Sequence, residues 1–264
     1  MNPFLIDSPT CISFSGGRTS AYMLWRVLEA NEGLPSQAIV CFANTGKEDE
    51  ATLRFVQDCS EQWEVPITWL EYRADGYAVV DYATASRNGE PFEALIEKRH
   101  YLPNTFARFC TSDLKIIPMK KHLKALGYED ITTFVGIRAD EPRRVAKMKD
   151  NADIKETPLA TAKVTVADVL SFWDKQPFNL QTVTVNGNSL LSNCDLCFLK
   201  KADHLLGLIQ DKPERAVWWA NMEKKIGARF NQAHPSYVDM LHYNAKQRDM
   251  FDPNEESISC FCGD

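Results

Sequence analysis

Hydrophobic residues in the first part of the chain form short continuous runs separated by stretches with helical spacing. Three runs of apolar and β-branched residues are typical of buried strands; they span residues 10–14, 38–42 and 67–70. After the first run, Ala21, Leu24 and Leu28 recur at the spacing of a helix. After the second run, Leu53 and Val56 show the same helical spacing. Strands that alternate with helices predict parallel βαβ units and a doubly wound α/β sheet.

The pattern changes along the rest of the chain. A helix is predicted from about Lys115 to Leu126, followed by a β-branched strand over residues 131–135, whereas residues 73–109 are less regular. Beyond residue 150 the strand signal weakens and helical spacing dominates. The helical segments span residues 166–173, 202–210 and 216–225. We therefore expect an α/β domain over residues 1–150 and a smaller, mainly helical C-terminal region over residues 151–264.

Composition narrows the class of protein. The chain has 264 residues, of which 44% are hydrophobic and 25% charged, which is ordinary for a globular protein. Its apolar runs are too short to span a membrane, and its start lacks the pattern of a signal peptide. We expect a cytoplasmic protein. The net charge of −6 argues against a general coat of positive charge for nucleic acid.

The loop after the first strand has the composition of an anion site. Gly16 and Gly17 let the backbone approach a ligand closely, and the following helix N-terminus presents free N–H groups. Ser15, Thr19 and Ser20 add hydroxyl groups, and Arg18 adds a positive charge. The loop matches neither a P-loop nor a dinucleotide-binding fingerprint. It predicts a cradle for phosphate or sulfate, although a Gly-Gly pair between strand and helix also occurs as a plain turn.

Two further loops follow predicted strands, at residues 44–46 and 136–144. The stretch 138–149 carries five basic and two acidic residues, which suits a compact anion but also fits a solvated helix face. In a doubly wound sheet the ligand lies beyond the carboxyl ends of the strands. One ligand can therefore contact all three loops.

Eight cysteines indicate metal binding or redox chemistry, because disulfides are rare in a reducing compartment. Cys11, Cys41 and Cys59 lie in apolar patterns and are expected to be buried thiols. The remaining five comprise a single cysteine, a C-x-x-C pair and a pair near the end: Cys110, Cys194, Cys197, Cys260 and Cys262. An iron–sulfur cluster or zinc takes four ligands, which these segments can supply. A regulatory disulfide between the C-x-x-C thiols is the alternative.

Several of these motifs resemble those of the phosphoadenosine phosphosulfate (PAPS) reductases and the N-type ATP pyrophosphatases. The similar segments are Ser13 to Ser20, Asn44 to Gly46, Arg108 to Lys115, Gly136 to Arg143, and Thr157 to Leu159. The resemblance extends from about Cys11 to Lys200 and implies an adenine nucleotide alpha hydrolase-like fold. It further implies that the second strand's end holds the adenine, the first loop holds the phosphates or sulfate, and the arginine loop closes over them.

The resemblance also implies roles for individual residues. The nucleotide-binding residues would be Ser15, Gly16, Gly17, Arg18, Thr19, Ser20, Phe42, Asn44, Thr45, Gly46, Arg108, Gly136, Arg138 and Arg143. The catalytic residues would be Arg18, Lys115, Cys260 and Cys262. The metal ligands would be Cys110, Cys194, Cys197 and Cys262, with Cys260 as the alternative fourth ligand. The implied cofactor is an iron–sulfur cluster, of 4Fe-4S type, with zinc as the alternative.

The sequence departs from the family pattern in two places. Thr19 stands where many ATP pyrophosphatases have an Asp associated with magnesium-bound pyrophosphate, so magnesium is a weaker expectation. The last residues, from Ser259 to Asp264, lack the Glu and His that usually accompany the reductase cysteine. Three functions remain open. The first is sulfur chemistry on PAPS or adenosine phosphosulfate (APS) with a thiol reductant protein. The second is ATP cleavage that activates a substrate such as a nucleic-acid base. The third is a non-catalytic nucleotide-binding or redox-sensing module.

Overall fold

A computed structural model describes residues 2–149, 155–182, 184–185, 188–191 and 194–243. A six-stranded sheet with spatial order β4-β3-β2-β1-β5-β6 forms its centre. The strands are β1 (Thr10–Phe14), β2 (Ala38–Asn44), β3 (Ile67–Arg73), β4 (Gly76–Val80), β5 (Thr132–Val135) and β6 (Lys155–Glu156). Neighbouring strands are parallel except β3 and β4, which are antiparallel. A short hairpin of β7 (Thr184–Val185) and β8 (Asn188–Ser189) lies apart from this sheet.

The helices follow the strands in the predicted alternation. In chain order they are α1 (Arg18–Ala30), α2 (Glu50–Gln62), α3 (Glu90–Arg99), α4 (Phe109–Thr111), α5 (Ile117–Ala125), α6 (Pro142–Lys149), α7 (Pro158–Thr161), α8 (Val166–Trp173), α9 (Ala202–Asp211), α10 (Glu214–Ile226) and α11 (Tyr237–His242). A π-helical turn at Ser112–Ile116 joins α4 to α5. In the described part of the chain, none of these helices is both long and apolar enough to cross a membrane.

Helices cover both faces of the sheet, as the doubly wound prediction requires. Ile12 of β1 packs in one core with Val27 of α1, Phe55 of α2 and Trp173 of α8. Cys11 points to the opposite face, because neighbouring side chains on a strand alternate, and it packs there in a cluster that includes Leu123 of α5. The fold class is therefore confirmed.

A second hydrophobic core connects the C-terminal helices to the middle of the chain. It contains Phe92 of α3, Leu114 of the π-helical turn and Trp219 of α10, together with the buried thiols Cys194 and Cys197. In contrast, β6 belongs to the six-stranded sheet, and α8 packs in the core that contains Ile12 and Val27. Both elements follow residue 150. The predicted domain boundary at residue 150 remains a prediction.

Two local predictions need correction. The stretch 73–109 contains the edge strand β4 and the helix α3, which the sequence pattern did not reveal. The helix predicted from Lys115 begins earlier, at Phe109, so Cys110 lies within its first turn and not before the helix. A proline crowds the carbonyl group four residues earlier, and the wider π-helical turn before Pro118 lets the helix continue through it.

Candidate functional site

A cleft of about 910 Å³ opens over β1 and β5, beside the helical segment 109–125. Of the predicted nucleotide-binding residues, Ser15, Ser20, Arg108 and Gly136 line it, as does the predicted catalytic Lys115. Its charged lining comprises six basic residues and two acidic ones, namely Arg108, Lys115, Lys120, Lys124, Lys147, Lys155, Glu129 and Asp130. This basic cleft has the size and charge to bind a small polyanion.

The loop from Ser15 to Ser20 is held in shape by hydroxyl groups. The Ser20 hydroxyl donates to the carbonyl oxygen of Gly17 at 3.0 Å and accepts from the N–H of Ser15 at 3.1 Å. Gly16 has φ +79°, and a Cβ there would lie 2.7 Å from Cγ2 of Thr52, so a glycine is required. Gly17 is the N-cap of α1 and contributes no capping side chain. The first turn of α1 thus presents its N–H groups at the loop, as an anion site does.

Gly136 brings the end of β5 against the same helix terminus. A Cβ at Gly136 would lie 3.0 Å from the Cα of Ser20, so the two loops meet in close backbone contact. Both residues line the basic cleft. The structure therefore joins two of the three strand-end loops that the sequence analysis expected to share one ligand.

Arg138 connects the arginine loop to α1. Its Nη1 donates to the hydroxyl of Thr19 at 3.0 Å, and its Nε donates to Asp140 at 3.0 Å. Burial raises the pKa of Asp140, but hydrogen bonds from the Val166 N–H and from Arg138 outweigh it, and the pKa falls below its ordinary value. The guanidinium of Arg138 is almost fully buried and is fixed by these contacts.

Two neighbouring arginines differ sharply in environment. Arg143 is exposed, whereas Arg144 is 7% exposed and pairs through Nη1 with Glu141. The Nε and Nη2 atoms of Arg144 are buried and have no hydrogen-bond partner in the structure. Such unsatisfied donors on a buried cation are costly, so Arg144 is a candidate for pairing with a bound anion. Arg144 shares a helix face with Lys147 and Met148, which line the basic cleft.

Two predicted nucleotide-binding side chains point elsewhere. The guanidinium of Arg18 donates to Oδ1 of Asn179 and to the carbonyl oxygen of Leu180, both at 2.7 Å. Burial lowers the pKa of Arg18. Phe42 is 1% exposed in the hydrophobic core and packs against Trp69. The next residue, Ala43, lines the cleft instead, because side chains on a strand alternate between its two faces.

The turn after β2 is built by buried polar contacts. Asn44 donates through Nδ2 to Glu71 at 2.7 Å and accepts from the N–H of Gly46 at 3.1 Å. The carboxylate of Glu48 accepts from the N–H of Thr45 at 2.8 Å, and Gly46 has φ +77°. The polar side chains of this turn therefore make hydrogen bonds that hold the turn in shape. Thr45 also contacts a cysteine.

Three of the predicted metal ligands meet at one small cavity. Cys110, Cys194 and Cys197 line a space of about 20 Å³ together with Thr45 and Lys115. Oγ1 of Thr45 lies 3.5 Å from Sγ of Cys194. Burial raises the pKa of the Cys194 thiol well above its ordinary value, and the neighbouring carboxylate of Glu48 adds to this effect. The positive charge of Lys115 opposes it. We call this space the thiol cavity.

The C-x-x-C segment is anchored to the turn after β2. Asp195 donates its backbone N–H to the carbonyl oxygen of Lys47 at 2.6 Å, and Glu48 and Cys194 form an antiparallel bridge. Nζ of Lys47 lies 3.2 Å from Oδ2 of Asp195, and Nε1 of Trp219 donates to Oδ1 of Asp195 at 2.9 Å. These contacts bring the cysteine pair to residues 44–48.

The donor set of the thiol cavity suits a soft metal centre. Three thiols are the ligands that iron–sulfur clusters and zinc prefer. Among the described residues, no three Cys, His, Asp or Glu side chains reach metal-binding spacing. A cluster held there would therefore require the three thiol side chains to change position around it. The predicted fourth ligand, Cys262 or Cys260, lies outside the described residues.

The thiol cavity adjoins the basic cleft. Thr111 and Lys115 line both spaces, so the end of α4 and the π-helical turn after it form the wall between them. Nζ of Lys115 lies 3.8 Å from the carboxylate of Glu48, on the side of the thiol cavity. A ligand in the cleft and a group held by the thiols would thus be neighbours.

Several cleft residues were missed by the sequence analysis. Lys120 and Lys124 line the cleft from one face of α5, and Lys155 lines it from β6. Lys147 of α6 also lines it and belongs to the basic stretch 138–149, which the sequence did indicate. The spacing of Lys120 and Lys124, four residues apart on a predicted helix, was the available signal. Solvated helix faces show the same spacing, so the pattern alone did not single them out.

Comparisons with known proteins agree with the residue motifs. The family model for the phosphoadenosine phosphosulfate reductase domain matches residues 9–159. An uncharacterized nin region protein of Escherichia phage lambda is 33% identical over 246 residues, which covers 89% of this chain and 80% of that protein. An uncharacterized protein of Methanocaldococcus jannaschii is 30% identical over 136 residues, which covers 52% of this chain and 24% of that protein.

Among solved structures, the chain is similar to the U34-tRNA thiolase NcsA from Methanococcus maripaludis with its 4Fe-4S cluster. The identity is 14% and the TM-score 0.37, with 99% of this chain and 81% of that chain covered. The family model spans more than half of the 264 residues, and it includes the loop after β1, the arginine loop and Cys110. The chain therefore belongs to the phosphoadenosine phosphosulfate reductase domain family.

Proposed function

We propose that the chain is an enzyme that binds an adenine nucleotide in the basic cleft and carries out sulfur chemistry next to the thiol cavity. The observation that carries this proposal is the shared wall: Thr111 and Lys115 line both the cleft and the cavity with three thiols. Family membership supports an adenine nucleotide as the ligand. A nucleotide site beside clustered thiols is suited to reactions in which sulfur approaches an activated group.

The phosphates or sulfate of the nucleotide would lie at the N-terminus of α1, near Ser15 and Gly17. Lys115 would balance their negative charge on the side of the thiol cavity, since it already lies at both spaces. Cys110, Cys194 and Cys197 would hold an iron–sulfur cluster, with zinc as the alternative. Bound there, the metal centre would supply a site for binding sulfur close to the nucleotide.

Two reactions fit this arrangement. The first is thiol-dependent reduction of PAPS, or of adenosine phosphosulfate (APS), for which the family supplies the precedent. The second is cleavage of ATP between its α- and β-phosphates, which would activate a substrate for sulfur transfer. The six basic side chains of the cleft suit both nucleotides, because PAPS and ATP are both strong polyanions.

Incubation with labelled nucleotides separates these two reactions. Sulfite released from PAPS in a thiol-dependent way would establish the reductase, and pyrophosphate released from ATP would establish the pyrophosphatase. Binding without release of either product would show a nucleotide-binding or redox-sensing module. Absence of binding to ATP and PAPS alike would contradict the proposal.

The metal proposal has its own experiment. Anaerobic purification followed by an absorption spectrum and elemental analysis should detect iron or zinc. Replacing Cys194 or Cys197 with Ala should remove the metal. The matched control is Cys59→Ala, since Cys59 is a buried thiol in the first core. Wild-type protein without iron or zinc would show that the thiol cavity is not a metal site.

A further inference from the structure

Phe106 is exposed in a way that a phenylalanine seldom is. It is 99% exposed, while the other exposed large hydrophobic side chains range from 39% to 58%. Phenylalanine is among the residue types most often buried, and a fully solvated ring leaves a large apolar surface in water. The ring belongs to the segment that lines the basic cleft, beside Thr105 and Arg108.

The backbone holds this ring outward. Oδ1 of Asn104 accepts from the N–H of Phe106 at 2.9 Å and from the N–H of Ala107 at 2.8 Å. The N–H of Asn104 in turn donates to the carbonyl oxygen of Ala107 at 3.1 Å. The turn is therefore closed on itself, and its shape places the ring at the rim of the cleft.

The surroundings of the ring are basic. Arg108, Lys120 and Lys124 line the same cleft, which carries six basic and two acidic side chains within a chain of net charge −6. A solvated aromatic ring at a cleft lined by basic side chains is the combination with which proteins bind single-stranded nucleic acid. The ring stacks on a base, and the basic residues follow the phosphate backbone.

We propose that Phe106 is a stacking platform for a base of a single-stranded nucleic acid, which enters the cleft as the second substrate. This inference rests on the proposed function, because it takes the cleft as the reaction site and names the acceptor class. Phe106 lies at the rim of the cleft, and its ring is exposed on both faces. It is therefore placed to meet a base that arrives from outside.

The test measures binding of fluorescein-labelled oligouridylate and oligothymidylate of equal length by fluorescence anisotropy. The full-length wild-type protein should bind at least one of the two, and the affinity should fall as salt increases. Phe106→Ala should weaken this binding about tenfold. Phe106→Tyr should keep it, because a tyrosine ring also stacks. Val79→Ala, at an exposed apolar residue of the edge strand β4, is the matched control and should bind as the wild type does.

Calorimetry with ATP separates this inference from the proposed function. Phe106→Ala should bind ATP with unchanged affinity. If Phe106→Ala loses ATP affinity, the ring serves the nucleotide and the inference is wrong. It is equally wrong if the wild type binds neither oligonucleotide, or if Phe106→Ala binds them as tightly as the wild type. Wild-type protein that binds the oligonucleotides but neither ATP nor PAPS would contradict the proposed function instead.

Discussion

Nζ of Lys47 lies 3.2 Å from Oδ2 of Asp195, and both side chains are more than 90% buried. This ion pair joins the turn after β2 to the C-x-x-C segment, which lies far along the chain. Nε1 of Trp219 donates to the other carboxylate oxygen of Asp195. The pair is therefore a buried polar link between the cysteine pair and the sheet that carries the basic cleft, beside the backbone hydrogen bond from Asp195 to Lys47.

Asp195→Ala should destabilise the protein by about 3–5 kcal/mol, because it leaves the ammonium of Lys47 buried without a counter-ion. Urea denaturation at neutral pH gives the free energy of unfolding. The control is Lys225→Ala, which removes exposed pairs with Glu93 and Glu97 and should cost less than about 1 kcal/mol. A similar small loss for both variants would show that the buried pair does not hold the segment.

Sequence patterns predicted the sheet because burial on both faces requires short apolar runs, such as residues 38–42. Cys110, Cys194 and Cys197 were grouped from their spacing and a family resemblance, and all three line the thiol cavity. Their role as metal ligands stays a prediction. The Lys47–Asp195 pair was not predicted, since nothing local in the sequence indicates that two distant residues of ordinary type will be buried together. The orientation of Arg18 was missed for a related reason. Its partners, Asn179 and Leu180, lie in a segment without a recognisable motif.

Glycine substitutions should separate binding from folding. Gly17 has φ −100°, which any residue adopts, so Gly17→Val should leave the melting temperature nearly unchanged. The added side chain at the helix N-terminus should abolish calorimetric binding of ATP and PAPS, because it blocks the approach of the anion to the backbone.

The companion substitution acts on the fold. The alanine of Gly16→Ala would have to adopt a left-handed backbone, and its Cβ would lie 2.7 Å from Cγ2 of Thr52. The free energy of unfolding should therefore fall by about 2 kcal/mol or more. Unchanged nucleotide affinity in Gly17→Val would count decisively against the loop as the phosphate site.

Arg144 and Arg143 form a matched pair for testing the anion site. Arg144→Met should weaken ATP binding about tenfold, because its buried Nε and Nη2 atoms lack partners until an anion is bound. Arg143→Met should change the affinity less than about twofold, since that side chain is exposed. Isothermal titration calorimetry measures both. The reverse order of effects would place the anion on the exposed arginine, as the family resemblance implied.

Acid should weaken the arginine loop through Asp140. The pKa of Asp140 is lower in the folded protein than its ordinary value of 3.8, so the charged carboxylate stabilises the fold. That contribution is complete above the ordinary value and is lost as the pH falls through the lowered one. Asp140→Asn removes the charge, so its free energy of unfolding should depend less on pH than that of the wild type as the pH falls below 3.8.

Asp168 provides the comparison for that measurement. Its pKa is also lowered, by the backbone N–H and the hydroxyl of Thr165, but it makes these contacts at the start of α8 and not with Arg138. Both Asn variants should therefore flatten the acid dependence of stability. Only Asp140→Asn should also lower ATP affinity at neutral pH, because Asp140 holds the guanidinium that contacts Thr19. Equal ATP affinity in the two variants would show that Arg138 does not need Asp140 to stay in place.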